Sequence, residues 1–110
     1  MLKDTISKLK DKIMASENIP EDRKQEYYEL LNRLDAEVNE LGKTDQEKAE
    51  SISGFTKISA HETTRREVNP NLLTIAADGL SESVKEFEAS HPRLVSTVND
   101  FLTFLSKIGI

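Results

Sequence analysis

The sequence predicts an all-α fold: an elongated bundle of coiled-coil-like helical hairpins, with four to five helices. Three observations lead there. Leu73, Ala77, Leu80, Val84, Phe87, His91, Leu94, Val98, Phe101, Leu105 and Ile108 recur alternately four and three residues apart without a slip, which is a heptad seam. Helix start and stop residues punctuate the chain at helical lengths: Pro20, Gly42, Thr44, Asn69-Pro70 and His91-Pro92. Hydrophobic residues make up 36% against 32% charged, with no Trp and six Phe or Tyr rings, so the core must be thin and suits helices meeting along narrow seams. At 110 residues the chain is long enough for a single helical domain, residues 1–110, and too short for two.

The first helix, residues 3–15, follows from Leu2, Ile6, Leu9 and Ile13 at spacings of four, three and four, with Lys3, Lys8, Lys10 and Lys12 off the stripe. Residues 1–14 carry four Lys against two Asp, whereas residues 15–50 carry eleven acids against five bases, so this helix suits an acidic face of the second. A basic amphipathic helix also suits an anionic membrane surface. That reading is the weaker one here, because the stripe has no aromatic ring and Asp4 and Asp11 dilute the charge.

The second helix, residues 20–41, opens at Pro20 with Glu21 and Asp22 at its positive end. Tyr27, Leu31, Leu34, Val38 and Leu41 form its stripe, and Gly42 closes it. The short connection before it favours antiparallel packing of the first two helices. Thr44-Asp45-Gln46-Glu47 reads as a capping box with Thr44 as the cap, starting a third helix over residues 45–62. Ile52, Phe55 and Ile58 are its only strong apolar residues, and Gly54 with several Ser and Thr opposes helix. From Ser59 to Glu67 the side chains are almost wholly polar, which makes residues 60–70 the candidate for local disorder.

Asn69-Pro70 starts the fourth helix, residues 71–90, and Gly79 within it admits close approach by a neighbour. The seam keeps phase into a fifth helix, residues 92–108. Pro92 has no N–H for the Glu88 carbonyl, so a bend or a break belongs there. No Gly or Asn precedes it to support a tight reversal, which favours a bend over a hairpin. His91, on the seam beside this proline, is read as partly buried or as a cap for the following helix, with pH sensing as the functional alternative. Val95, Leu102 and Phe104 widen the seam, and Lys107 with Gly109 suits a helix end.

Phe87-Glu88, His91-Pro92, Leu94, the ladder through Val98 and Leu105, and Gly109-Ile110 resemble the C-terminal signature of a small bacterial family, domain of unknown function 4404. The resemblance covers the last thirty or so residues and implies a bacterial helical protein. It transfers no catalytic residue, since the family has no established activity.

The chemistry-bearing residues do not form a motif. With no cysteine, thiolate catalysis and sulfur-ligated metal sites are excluded. His61 and His91 lie thirty residues apart with no metal-binding spacing, so no metal and no cofactor are expected. His61-Glu62 with Arg65-Arg66 reads as surface ion pairing before it reads as an acid–base or anion site. The glycines are scattered, and no phosphate loop is present. A net charge of -5 disfavours nucleic acid. Met1 leads into charged Lys3 and Asp4 with no apolar run of signal or membrane-span length, which reads as cytoplasmic. The expectation is therefore not an enzyme but a self-associating protein-interaction module, most simply a homodimer that also has room for another protein partner. Its interaction seam would be Leu73, Leu80, Val84, Phe87, His91, Leu94, Val98, Phe101, Leu102, Leu105 and Ile108. A membrane-surface adaptor working through the first helix is the alternative.

Overall fold

The computed structural model describes residues 2–108. Five helices follow one another: α1 (Lys3–Ala15), α2 (Lys24–Gly42), α3 (Gln46–Thr64), α4 (Pro70–Val84) and α5 (Pro92–Lys107), with 3-10 turns at Glu21–Arg23 and Lys85–Phe87. Helices α2, α3, α4 and α5 close a ring in which each packs on the next and α5 returns to α2, while α1 docks along α2 and α3. The extents of 38 × 25 × 20 Å and the radius of gyration of 13.1 Å are those of a compact bundle. The elongated form expected from the unbroken seam is therefore corrected: the seam folds back on itself at residues 85–91.

That reversal also corrects the expected bend. A cleft between α4 and α5 is lined by Pro70 and Leu73 from the start of one and by Leu105 and Ser106 from the end of the other, so the two helices are antiparallel. No glycine is needed because the turn is spread over several residues. The 3-10 turn ends α4, the His91 N–H donates to the Phe87 carbonyl at 2.8 Å, and Pro92 enters as the first residue of α5.

Helices α1 and α2 are pinned at both ends by side chains of α2. The Asp35 carboxylate, buried at 4% exposure, accepts the Leu2 N–H at 2.7 Å and so sits at the positive end of α1. At the other end the Lys24 ammonium, also buried, donates to the Met14 carbonyl at 2.6 Å and pairs with Glu21 at 2.7 Å. An anion at the N-terminus and a cation at the C-terminus set the antiparallel register. Between them Leu2, Ile6, Leu9 and Ile13 are buried, joined by Ile19 from the connection.

The cap of α3 is Asp45, whose carboxylate accepts the Lys48 N–H at 3.2 Å. Thr44, expected to cap α3, instead donates its hydroxyl to the Leu41 carbonyl at 3.2 Å and closes α2. Lys48 reaches Glu86, and Phe55 lies over Gly79, seven residues along α3 and seven back along α4. That register is antiparallel. A Cβ on Gly79 would come within 2.3 Å of the Phe55 ring, whereas one on Gly54 would meet nothing within 4 Å.

The two glycines should respond oppositely to alanine. Gly79→Ala displaces a packed ring and is expected to cost about 1–3 kcal/mol. Gly54→Ala gains helix propensity and is expected to add roughly 0.5–1 kcal/mol. Urea melts of the two variants against the parent check both signs.

Candidate functional site

The expected interaction seam lies inside the chain. Leu73, Leu80, Val84, Phe87, Leu94, Val98, Phe101 and Leu105 are all buried, and Leu102 and Ile108 are half-buried against the same core. Phe104, expected to widen the seam, is 2% exposed. Antiparallel folding of α4 on α5, with α2 closing the ring, covers these side chains without a second copy. His91 is half-exposed at the N-terminus of α5, its ring edge-on to Phe87 at 5.5 Å and its Nδ1 3.0 Å from the Ser90 hydroxyl. Its side chain makes no capping hydrogen bond.

Tyr27 is the centre of the core. Its ring is fully buried and packs edge-on against Phe101 at 5.9 Å and Phe104 at 5.4 Å. Its hydroxyl donates to Thr63, which in turn donates to the Ala60 carbonyl at 3.0 Å. Burial pushes the Tyr27 phenol well above its ordinary range, and the Thr63 hydrogen bond opposes that shift only in part.

Helix α3 departs in part from its expected polarity: Ile52 is buried and Phe55 half-buried, but Ile58 is exposed. Ser53, Thr56, Ser59, Glu62 and Thr63 are buried, and residues 60–64, placed in the candidate disordered stretch, are helical. The hydroxyls are satisfied locally, Thr56 donating to the Ile52 carbonyl and Ser59 to the Phe55 carbonyl at 2.9 Å each. Glu62 pairs with Arg65 at 2.8 Å. His61 is exposed and does not join them, so the His61-Glu62 and Arg65-Arg66 run does not assemble into an acid–base pair. Among the described residues no three His, Asp or Glu side chains converge as a metal-binding group.

The surface that does stand out is apolar. Ile58 on α3 and Leu72 and Ile75 on α4 are 49%, 43% and 65% exposed. The register set by Lys48–Glu86 and Phe55–Gly79 places Ile58 level with Ala76 and Ile75 level with Ser59; Ile58 is three residues from Phe55, and Ile75 and Leu72 are four and seven residues before Gly79, so the three exposed side chains flank the Phe55–Gly79 contact. In the sequence Ile58 is one of the few strong apolar residues of the third helix, and Leu72 and Ile75 stand beside Leu73 at the beginning of the seam. Only the topology distinguishes them, by leaving that side of the α3–α4 pair without a covering helix. The stripe of α1, by contrast, is buried on α2, and its lysines face outward together with Asp4 and Asp11. Lys10 lies over the Tyr28 ring at 5.3 Å.

A family model described as Domain of unknown function (DUF4404) matches residues 28–110, three quarters of the chain. The chain belongs to this family. The DUF4404 match spans most of α2 and all of α3, α4 and α5, which is the closed ring, and it leaves α1 outside. No curated protein and no solved structure matches the chain. Among the described residues, no helix of this DUF4404 protein is long and apolar enough to cross a membrane.

Because the neutral phenol of Tyr27 is favoured by folding, its contribution is complete below about pH 10, the ordinary tyrosine value, and is lost as pH rises towards the higher folded value. Tyr27→Phe should cost about 1 kcal/mol at neutral pH for the lost hydrogen bond and flatten the stability loss above pH ~10. Denaturant melts at pH 7 and pH 10.5 check both effects.

Proposed function

We propose that this protein is a self-associating interaction module whose contact surface is the outer face of the α3–α4 pair. The observation that carries the reading is the exposure of Ile58, Leu72 and Ile75 together on one side of two adjacent helices. Contiguous aliphatic surface of this kind is uncommon on monomers and marks places where proteins meet. A second copy is the simplest occupant, because a two-fold axis lets one patch bury its own duplicate.

Charge supports a like partner. The chain carries a net -5, which opposes self-association, yet three acids of this helix pair and its closing turn are held in ion pairs: Glu86 with Lys48, Glu82 with Lys85 and Glu62 with Arg65. Two copies therefore bring together apolar side chains bounded by paired charges. The role is binding, and the buried stripe of α1 argues against a membrane-surface role through that helix.

Ile75→Glu places a carboxylate on the most exposed of the three side chains and should leave the fold intact, since little of that residue is packed. Light scattering coupled to size exclusion, from about one micromolar upward, is expected to give a dimer mass for the parent and a monomer mass for the variant. A monomer mass for the parent at every concentration would overturn the reading.

A further inference from the structure

A second feature lies at the opposite side of α3, where the ends of α1 and α3 meet. A half-open cleft of about 340 Å³ is lined by Lys12, Ser16, Glu17, Asn18, Arg65 and Arg66 among others. Its size is at the lower end of small-molecule sites, roughly 300–1,000 Å³. Three cations face one carboxylate there, in a chain whose net charge is -5.

The cleft is held by its own hydrogen bonds. The Asn18 side-chain amide donates to the Arg65 carbonyl at 2.5 Å, tying the α1–α2 connection to the segment after α3, and the Asn18 N–H donates to the Ser16 hydroxyl at 3.2 Å. The Ser16 hydroxyl, used there as an acceptor, keeps its own proton to give. Arg65 uses one guanidinium nitrogen on Glu62 and keeps the rest of its fork. Lys12 and Arg66 are exposed and pair with no carboxylate of the described residues, although Glu17 lines the same cleft.

Two helix C-termini point into this region, each worth about half a negative charge. Part of that is already answered, because Lys24 takes the Met14 carbonyl of α1 and the Thr64 hydroxyl takes the His61 carbonyl of α3. Three formal cations against Glu17 and the Glu62 that pairs with Arg65 leave one positive charge, carried by exposed Lys12 and Arg66, which the partly answered helix ends reduce but do not cancel. We infer that this cleft binds a small phosphoryl-bearing anion, held by Lys12, Arg66, the free side of the Arg65 fork and the Ser16 hydroxyl. Arginine's planar fork suits phosphate oxygens and lysine adds a point charge. The site contains none of Ile58, Leu72 and Ile75, and the variants that test it leave Arg65 in place, so the two proposals fail independently.

The test uses the full chain, isotope-labelled and titrated with inorganic pyrophosphate while amide shifts are followed by NMR. Shifts are expected to cluster at residues 12–18 and 64–66. The Lys12→Gln/Arg66→Gln double variant, altered only at exposed positions, should keep its melting temperature and bind at least about fivefold more weakly, whereas Glu17→Gln should bind more tightly. Equal responses from parent and double variant, or shifts scattered over Lys3, Lys8 and Lys57 as well, would overturn the site. Co-sedimentation with phosphatidylglycerol vesicles identifies the source of the anion. Pelleting abolished in the double variant assigns a lipid headgroup, and pyrophosphate binding without pelleting assigns a soluble phosphorylated molecule.

Discussion

The structure depends on burying α2 from three directions at once. Helix α1 covers one side, α3 another and α5 a third, and Tyr27 touches two of these neighbours with one side chain: its ring against Phe101 and Phe104 of α5, its hydroxyl on Thr63 of α3. A phenol in that position has to satisfy its donor in the core, because a buried polar group without a partner costs about 1–3 kcal/mol. Thr63 answers it, and Thr63 is itself held by the Ala60 carbonyl. This constraint explains why the last turns of α3, whose side chains look like solvated surface, are helical and buried.

Both proposed binding surfaces consist of what the closed ring leaves over. With α2 central, the heptad seam of α4 and α5 is consumed within one chain, and the three most exposed large apolar side chains of the described residues, Ile58, Leu72 and Ile75, remain on α3 and α4. Charge is left over in the same way. Helix α1, outside the DUF4404 match, brings Lys12 and the Ser16–Asn18 connection up to Arg65 and Arg66, and creates a positive cleft that the ring alone would not have.

Much of the architecture was legible in the sequence. The all-helical class followed from three-and-four spacing, and the helix starts at Asn69-Pro70 and His91-Pro92 from proline chemistry. What periodicity does not contain is the identity of the partner across a seam. The same spacing of Leu73, Leu80 and Leu94 serves a long coiled coil or a hairpin folded on itself, and only residues 85–91, reversing without glycine, decide between them. The polar face of α3 was illegible for another reason: Thr56, Ser59 and Thr63 count as hydrophilic, yet each satisfies its hydroxyl on its own helix and buries the rest. Thr44 and Asp45 are both good caps, and residue preference alone does not choose between neighbours. Ile58, Leu72 and Ile75 were visible as apolar residues but not as a surface, because exposure is a property of topology.

The central claim is that the seam closes within one chain around α2. It is tested most directly by isotope-filtered NOE spectroscopy on a mixture of labelled and unlabelled protein. The account predicts strong intrachain cross-peaks from the Tyr27 ring to Phe101 and Phe104, and from Leu73 to Leu105, with none of these between chains. Finding the same cross-peaks between labelled and unlabelled chains would mean that the seam is completed by exchange between copies, and would contradict the closed ring.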